Sequence, residues 1–341
     1  MNADLKVTEN QLESAYRWLC QQRQHYPDNA DIWSFRFDWQ KNKQPLLQAI
    51  NSGLYKFSPL KRLCKANGQI IHLWCSQDAL MMKVLSEQLS RYLILSKSCT
   101  HIKGHGGLKQ SITRIQAQLK DYQFVCKTDV KQFYESIDQS FLMAQIHQQV
   151  HCKTLLRYCW QVIRRTVEYG GLYQEITKGI SRGCPLSPIL GAVYLKALDE
   201  QFQKKDLFYL RYMDDILILS KTRWQNRRAV KLLNQCFNRL KVKQHPDKTF
   251  IGKIEKGFDF LGYHFSREPL KLARSTVKKH VERIYRLYEQ QIKKKATSEE
   301  VAFILGNYVK RWQCWCTAGL GDIIFSSVYG ELRRNQEGLS P

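Results

Sequence analysis

Long apolar runs are missing from this chain. No stretch approaches the roughly 18 apolar residues that a membrane-spanning helix needs, and the start, Met1 to Lys6, lacks the apolar segment of a secretion signal. The expectation is a soluble, cytoplasmic protein that does not engage a membrane. Paired metal-binding cysteines are missing too. The eleven cysteines are scattered, Cys314 and Cys316 form a C-x-C with no second pair, and His151-Cys152 stands alone. That excludes a zinc knuckle of the usual spacing and gives no disulfide framework, so reduced, mostly buried thiols are expected. Internal repeats and low-complexity linkers are absent as well. Acidic residues are scarce: 30 Asp+Glu face 54 Lys+Arg, a formal charge of +24. Such a surplus points to a polyanionic partner. Because the basic residues are spread along the chain rather than gathered on one amphipathic helix, that partner is nucleic acid rather than a membrane surface.

What is present is enough for a real core: 341 residues, 43% of them hydrophobic, a length that suggests two or three sub-structures. Thr8-x-x-Gln11 is a capping box opening a helix with Leu12, Tyr16 and Leu19 on its apolar face. An aromatic-rich stretch and a short helix ending near Gly53 follow. Tyr55 to Trp74 is strand-like, with Asn67-Gly68 as a hairpin turn, and residues 78–95 have helical period. Phe124 to Thr128 reads as a buried strand ending at Asp129, and Pro188 to Leu198 as an apolar helix. Phe208 to Tyr212 and Ile216 to Leu219 are strands flanking Asp214-Asp215, and Phe258 to Phe265 is another strand pair. The interleaved order implies an α+β sheet with helices on one face. After about residue 270 the period is purely helical: Val277, Val281, Ile284, Tyr288 and Ile292 form one stripe, Thr297-x-x-Glu300 caps a second helix, and a third runs from Asp322 towards Arg334, making a small bundle. Lys278, Lys279, Arg283 and Arg286 lie on the polar face of the first of these, as a phosphate-tracking surface requires.

The chemistry centres on carboxylates. Nucleotidyl transfer uses two divalent ions about 3.5–4 Å apart, and Mg²⁺ takes a few carboxylate oxygens with water and substrate phosphates. Asp129 ends one strand, and Asp214-Asp215 sits between two others. Asp-Asp is common in plain turns, but two adjacent charges in an apolar hairpin are costly without a cation.

In order along the chain stand Lys127-Thr128-Asp129-Val130-Lys131-Gln132-Phe133-Tyr134, then Gly179-Ile180-Ser181-Arg182-Gly183-Cys184-Pro185-Leu186-Ser187-Pro188, then Tyr212-Met213-Asp214-Asp215, then Pro246-Asp247-Lys248-Thr249, then Phe260-Leu261-Gly262-Tyr263. Together these resemble the ordered motifs of reverse transcriptases, in particular the bacterial branch of group II intron, retron, diversity-generating and defence-associated enzymes. The resemblance implies a right-hand α+β polymerase with an antiparallel palm sheet: an N-terminal helical extension over 1–54, fingers over 55–122, palm over 123–269 and helical thumb over 270–341. It implies two Mg²⁺ ions, replaceable by Mn²⁺, on Asp129, Asp214, Asp215 and the Val130 carbonyl. Tyr134 would be the steric gate against a ribose 2′-OH, against the plainer reading of a core aromatic. Lys248 would protonate the leaving pyrophosphate or be a solvated turn lysine. Phe260, Leu261, Gly262 and Tyr263 would form the primer grip.

The deoxynucleotide site would draw on Arg182, Gly183, Lys65 and Gln69. Arg182 stands where many relatives carry Gln, and Gln69 where a basic fingertip residue is usual; Lys61, Arg62 or Lys65 are candidates to replace it. Lys103, His105 and Lys109, in the run Lys103-Gly104-His105-Gly106-Gly107-Leu108-Lys109, would meet template phosphates, or form a surface turn. No endonuclease or RNase H set is read after residue 270. The implied function is therefore synthesis of DNA on an RNA template, with dNTPs and the RNA–DNA duplex as partners. A dedicated non-coding RNA or accessory protein in a mobile-element, retron or anti-phage setting would complete it. An RNA-dependent RNA polymerase and a non-catalytic RNA-binding maturase are the competing readings.

Overall fold

The computed structural model describes residues 5–64, 68 and 70–320. The chain forms two compact units whose segments alternate along the sequence. One takes Met1–Ile102, Val130–Gln201 and Leu233–Gln244; the other takes Lys103–Asp129, Phe202–Leu232 and His245–Pro341. The strands, in chain order, are β1 (Leu60–Cys64), β2 (Ile70–Leu73), β3 (Phe124–Thr128), β4 (Thr166–Tyr169), β5 (Leu172–Glu175) and β6 (Phe208–Tyr212). They continue with β7 (Asp215–Ser220), β8 (Phe250–Lys253), β9 (Phe258–Phe260), β10 (Tyr263–Phe265) and β11 (Lys271–Leu272).

In the first unit, the helix Glu9–Gln22 opens with the expected box: the Thr8 hydroxyl accepts from the Gln11 amide while the Gln11 side chain accepts from the Thr8 amide. Tyr16 stacks on Trp39 with centroids 4.0 Å apart, which ties this helix to Trp39–Asn51. The sheet runs β2-β1-β4-β5. It departs from an all-antiparallel pattern, because β1 and β4 pair in parallel; a parallel neighbour needs a long crossover, supplied here by the helices between them. Gly68 has φ +77°, as a tight hairpin requires, whereas Asn67 lies outside the described residues. The helix expected over 188–198 is two helices, Ser187–Tyr194 and Lys196–Gln203. The Tyr194 carbonyl accepts from the Gln145 side-chain amide, a lateral partner where the helix is interrupted.

In the second unit the sheet runs β6-β7-β3-β8, every pair antiparallel. Val125, Leu210, Leu217 and Leu219 pack with Ile112 and Ile115 of the helix Gly107–Gln118, and with Phe258, Tyr263 and Phe265 of the small β11-β10-β9 sheet. Residues 216–219 are all fully buried, hence the unbroken apolar run.

The helices Arg274–Lys293 and Ser298–Leu320 follow, the second capped by reciprocal Thr297–Glu300 hydrogen bonds. The apolar stripe of the first is only partly covered: Tyr288 and Ile292, at its distal end, are exposed. The third expected helix falls outside the described residues. His280 joins the two described helices, stacked on Trp312 at 3.6 Å and hydrogen-bonded through Nδ1 to the Tyr308 hydroxyl. Burial lowers its pKa. The folded state therefore favours the neutral ring, and its stability is complete above the unfolded value of about 6.5. It is lost as pH falls from there towards the folded value. Thermal unfolding of the protein should thus occur a few degrees lower at pH 5 than at pH 7.5, and His280→Phe should flatten that part of the profile. An unchanged profile in the variant would show that His280 does not carry it.

Candidate active site

The β6–β7 hairpin places two carboxylates at a sheet end. Tyr212 pairs with Asp215, leaving Met213 and Asp214 as a two-residue loop. Met213 adopts φ +56°, a conformation that costs a non-glycine residue roughly 1 kcal/mol or more. A fully buried arginine helps to hold this turn: Arg211 Nη1 donates to the Met213 carbonyl at 2.7 Å. Asp214 thus stands at the tip and Asp215 begins the central strand β7.

Asp129 follows directly on β3, the neighbour of β7, and is almost fully buried. Its backbone carbonyl accepts from the His245 amide at 2.8 Å. This brings the short turn Pro246–Lys248 alongside, and the Lys248 ammonium donates to Asp129 Oδ2. Thr128 and Thr249 hydroxyls meet at 2.7 Å and fasten the same two segments. Asp129, Asp214, Asp215 and Lys248 are therefore gathered at one end of one sheet.

The electrostatics are those of a site short of positive charge. Burial pushes the Asp214 carboxyl up to about 7, helped by a hydrogen bond to Asp129 and repulsion from Asp129 and Asp215. Burial and repulsion from Asp129 push Asp215 up to about 6, against the pull of Lys248 and Lys127. The Asp129 contact, in turn, raises the Lys248 ammonium pKa. Among the described residues no three Asp, Glu, His or Cys side chains form a finished ligand cage. Mg²⁺ requires none, since it keeps waters and completes its shell with substrate phosphates around one or two carboxylates. The donor set and the charge deficit fit a divalent ion.

In the other unit, Tyr134 is half-buried beside Phe133, ring centroids 5.2 Å apart. Its carbonyl accepts from the Ile180 amide at 2.7 Å, and the Gly179 amide donates to Ile137 at 2.8 Å. The segment before Arg182 is thereby laid on the Tyr134 backbone. Gly179 has φ +71°, and a Cβ there would lie 2.7 Å from the Tyr134 carbonyl oxygen. Gly183 has φ +78° with open space around it, and Arg182 is exposed. Val130 is buried and bridged to Gln244.

The remaining sequence candidates are spread out. Phe260 and Tyr263 pair across the tight turn Leu261-Gly262, both in the left-handed region, and a Cβ on Gly262 would strike Trp315. Lys103 and Lys109 are exposed and His105 half-buried around the start of the helix Gly107–Gln118, whose N-cap is Gly106. Lys278, Lys279, Arg283 and Arg286 are exposed along Arg274–Lys293. Lys65 and Gln69 lie outside the described residues.

Residues 69–265, more than half of the chain, match the family model described as "Reverse transcriptase (RNA-dependent DNA polymerase)". The chain belongs to the reverse transcriptase family. Two curated proteins are similar to it. Protein YkfC of Escherichia coli (strain K12) is 20% identical over 276 residues, 66% of this chain and 71% of that protein. The putative COX1/OXI3 intron 2 protein of Saccharomyces cerevisiae (strain ATCC 204508 / S288c) is 24% identical over 169 residues, 47% of this chain but 20% of that protein. Membership makes the chain an RNA-directed DNA polymerase by class, a nucleotidyltransferase whose family works on an RNA template with dNTPs. Among the described residues no helix is long and apolar enough to cross a membrane.

The reverse transcriptase motifs left several supporting residues unnoticed. Arg211 was legible only as a charge inside an apolar strand. Lys127 stood out only as the start of the first carboxylate motif; its ammonium donates to the Asp259 carbonyl at 2.7 Å. Gln139 and Arg165 both donate to the Gly179 carbonyl, at 2.9 Å each, and Trp74 Nε1 donates to the Ser181 hydroxyl at 3.0 Å. The contacts of Lys127, Gln139, Arg165 and Trp74 span 14 to 132 positions of sequence, so no local pattern signals them.

Proposed function

We propose that this reverse transcriptase synthesises DNA on an RNA template by two-metal nucleotidyl transfer at Asp129, Asp214 and Asp215. The observation that carries this reading is the gathering of three carboxylates, Asp129 buried and Asp214 and Asp215 half-buried with raised pKa values, beside the Lys248 ammonium. Divalent ions, Mg²⁺ or Mn²⁺, held by these carboxylates and the Val130 carbonyl would activate the primer hydroxyl and balance the charge of the leaving pyrophosphate. The protein's own part is to fix the carboxylates through β3, β7 and Arg211. Lys248, ion-paired with Asp129, would supply a proton to the leaving group, a general-acid role. Residues 123–269 would act as palm, 55–122 as fingers, 1–54 as a helical extension and 270–341 as thumb. Phe260 to Tyr263 would support the primer end, Arg182, Gly183, Lys65 and Gln69 the dNTP. Lys103, His105, Lys109, Lys278, Lys279, Arg283 and Arg286 would hold the phosphates of the template–product duplex. Similarity to an intron protein, together with the Ser187-Pro188 ending of the substrate loop, favours a group II-intron-like or defence-associated lineage working with a cognate RNA.

The test is extension of a primer on an RNA template with dNTPs or rNTPs, with and without Mg²⁺. DNA synthesis that stops on chelation is the expected result; preferential use of rNTPs would give the reaction to an RNA polymerase. Tyr134→Ala should lower the preference for dNTPs over rNTPs by roughly ten- to hundredfold, since a removed steric clash is worth about 1–3 kcal/mol. Unchanged selectivity in that variant would make Tyr134 a core aromatic.

A further inference from the structure

One cavity is lined by none of the residues assigned above to the metals, the dNTP, the primer or the duplex. It holds about 470 Å³ and is lined by Ser136, Asp138, Trp160, Arg164, Lys178 and Lys241 among others, all within the first unit. Its volume falls in the range of small-molecule sites. Its chemistry is unusual for a surface depression: three cations and one carboxylate surround one indole. Trp160 is half-buried, and the Arg164 guanidinium sits over its ring, 6.0 Å from the centroid. Arg164 is held from behind by Glu175 at 3.2 Å. Lys178 is exposed and makes no ion pair among the described residues. Lys241 reaches the Asp138 carboxylate at 2.7 Å from a left-handed backbone position, φ +54°.

We propose that this cavity binds a nucleoside phosphate, either free or as an unpaired residue of an RNA. A planar base is the ligand that an indole beside a guanidinium recognises, by stacking with a cation–π contribution that tolerates any base. The phosphate would take Lys178 and Lys241. Releasing Lys241 from Asp138 is cheap, because an exposed ion pair is worth little in water. The exchange also frees one Asp138 oxygen as an acceptor for a ribose hydroxyl. The other oxygen remains engaged with the Phe141 amide at 2.9 Å, so the carboxylate keeps its place. The floor is rigid: the buried Gln139 amide donates to the carbonyls of Ile163, Ile176 and Gly179, at 3.0, 2.8 and 2.9 Å. The ligand would therefore rest on the same buried side chain that fixes the Gly179 loop.

The test is calorimetric titration of the full chain in chelator, which suppresses metal-dependent binding at the carboxylates, with adenosine 5′-monophosphate and separately with a five-residue oligoadenylate. Lys178→Ala combined with Lys241→Ala should weaken binding at least about tenfold, with primer extension unchanged. Trp160→Phe should bind nearly as the wild type and Trp160→Ala much more weakly. Binding of the mononucleotide alone supports a free nucleotide as ligand; binding of the oligonucleotide, with ultraviolet crosslinking to residues 153–164, supports an unpaired RNA residue. Equal affinity in wild type and the double lysine variant, or no binding of either probe, overturns the proposal. Extension activity is read in parallel, so failure here is distinct from failure of the polymerase reading.

Discussion

Asp215→Asn is expected to reduce primer extension by at least about 10³-fold, the scale of losing several kcal/mol of transition-state charge stabilisation, and to stabilise the metal-free fold. The two effects share one cause. Asp215 is ionised at neutral pH in a place where burial and Asp129 oppose the charge, so its carboxyl is pushed up to about 6. A carboxyl whose folded pKa is raised costs stability as pH rises from the unfolded value, about 3.9, through the folded one. An amide of the same shape does not titrate. The thermal midpoint of the variant in chelator should therefore exceed that of the wild type at pH 7.5 and converge on it near pH 4. Asp129→Ala should be equally inactive. If either variant extends primers normally, the carboxylates are not the catalytic set. If Asp215→Asn melts below the wild type at pH 7.5, the hairpin end is not the strained site described above. Trading stability for function in this way is common where like charges are held together.

Gly179→Ala is the second large effect. The residue carries two burdens at once: φ +71°, and three backbone atoms of Tyr134 and Glu135 within 2.8 Å of a would-be Cβ. A left-handed non-glycine costs roughly 1 kcal/mol or more and overpacking about 1–3 kcal/mol, so a loss of about 2–4 kcal/mol is expected in urea denaturation. The neighbouring Gly183 isolates the first burden, with φ +78° and nothing near its Cβ. Gly183→Ala should cost only about 1 kcal/mol. Equal losses in the two variants would mean that the contact with Tyr134 does not matter. An increased KM for dNTP in Gly179→Ala, beyond that in Gly183→Ala, would follow if Tyr134 is moved.

Much of this was readable in the residues. The apolar runs gave β3, β6 and β7, because strands buried on both faces read as continuous apolar runs. Thr8 to Gln11 and Thr297 to Glu300 announced their helices through capping chemistry that is complete within four residues. Asp129, Asp214 and Asp215, which the fold brings to one sheet end, stood out in the sequence because turn-tolerant carboxylates adjoin apolar strands. The parallel pairing of β1 with β4 was not readable, since nothing in a five-residue strand states which distant strand it will meet. Neither was the break at Leu195, which coincides with a side chain from another helix. Gln139, Arg165 and Arg211 escaped for the same reason: each acts on a backbone carbonyl, and carbonyls leave no mark in a sequence.

The alternating segments of the two units have a consequence for synthesis on the ribosome. β3 is complete at Thr128, but its two sheet neighbours begin at Asp215 and Phe250. At about 5–20 residues per second, the nascent chain carries a buried-type strand with both edges open for several seconds. Open apolar edges are templates for pairing with other chains. Slowed elongation between Asp129 and Asp215, or crowding of translating ribosomes, should therefore lower the soluble yield of this protein more than its final stability would suggest.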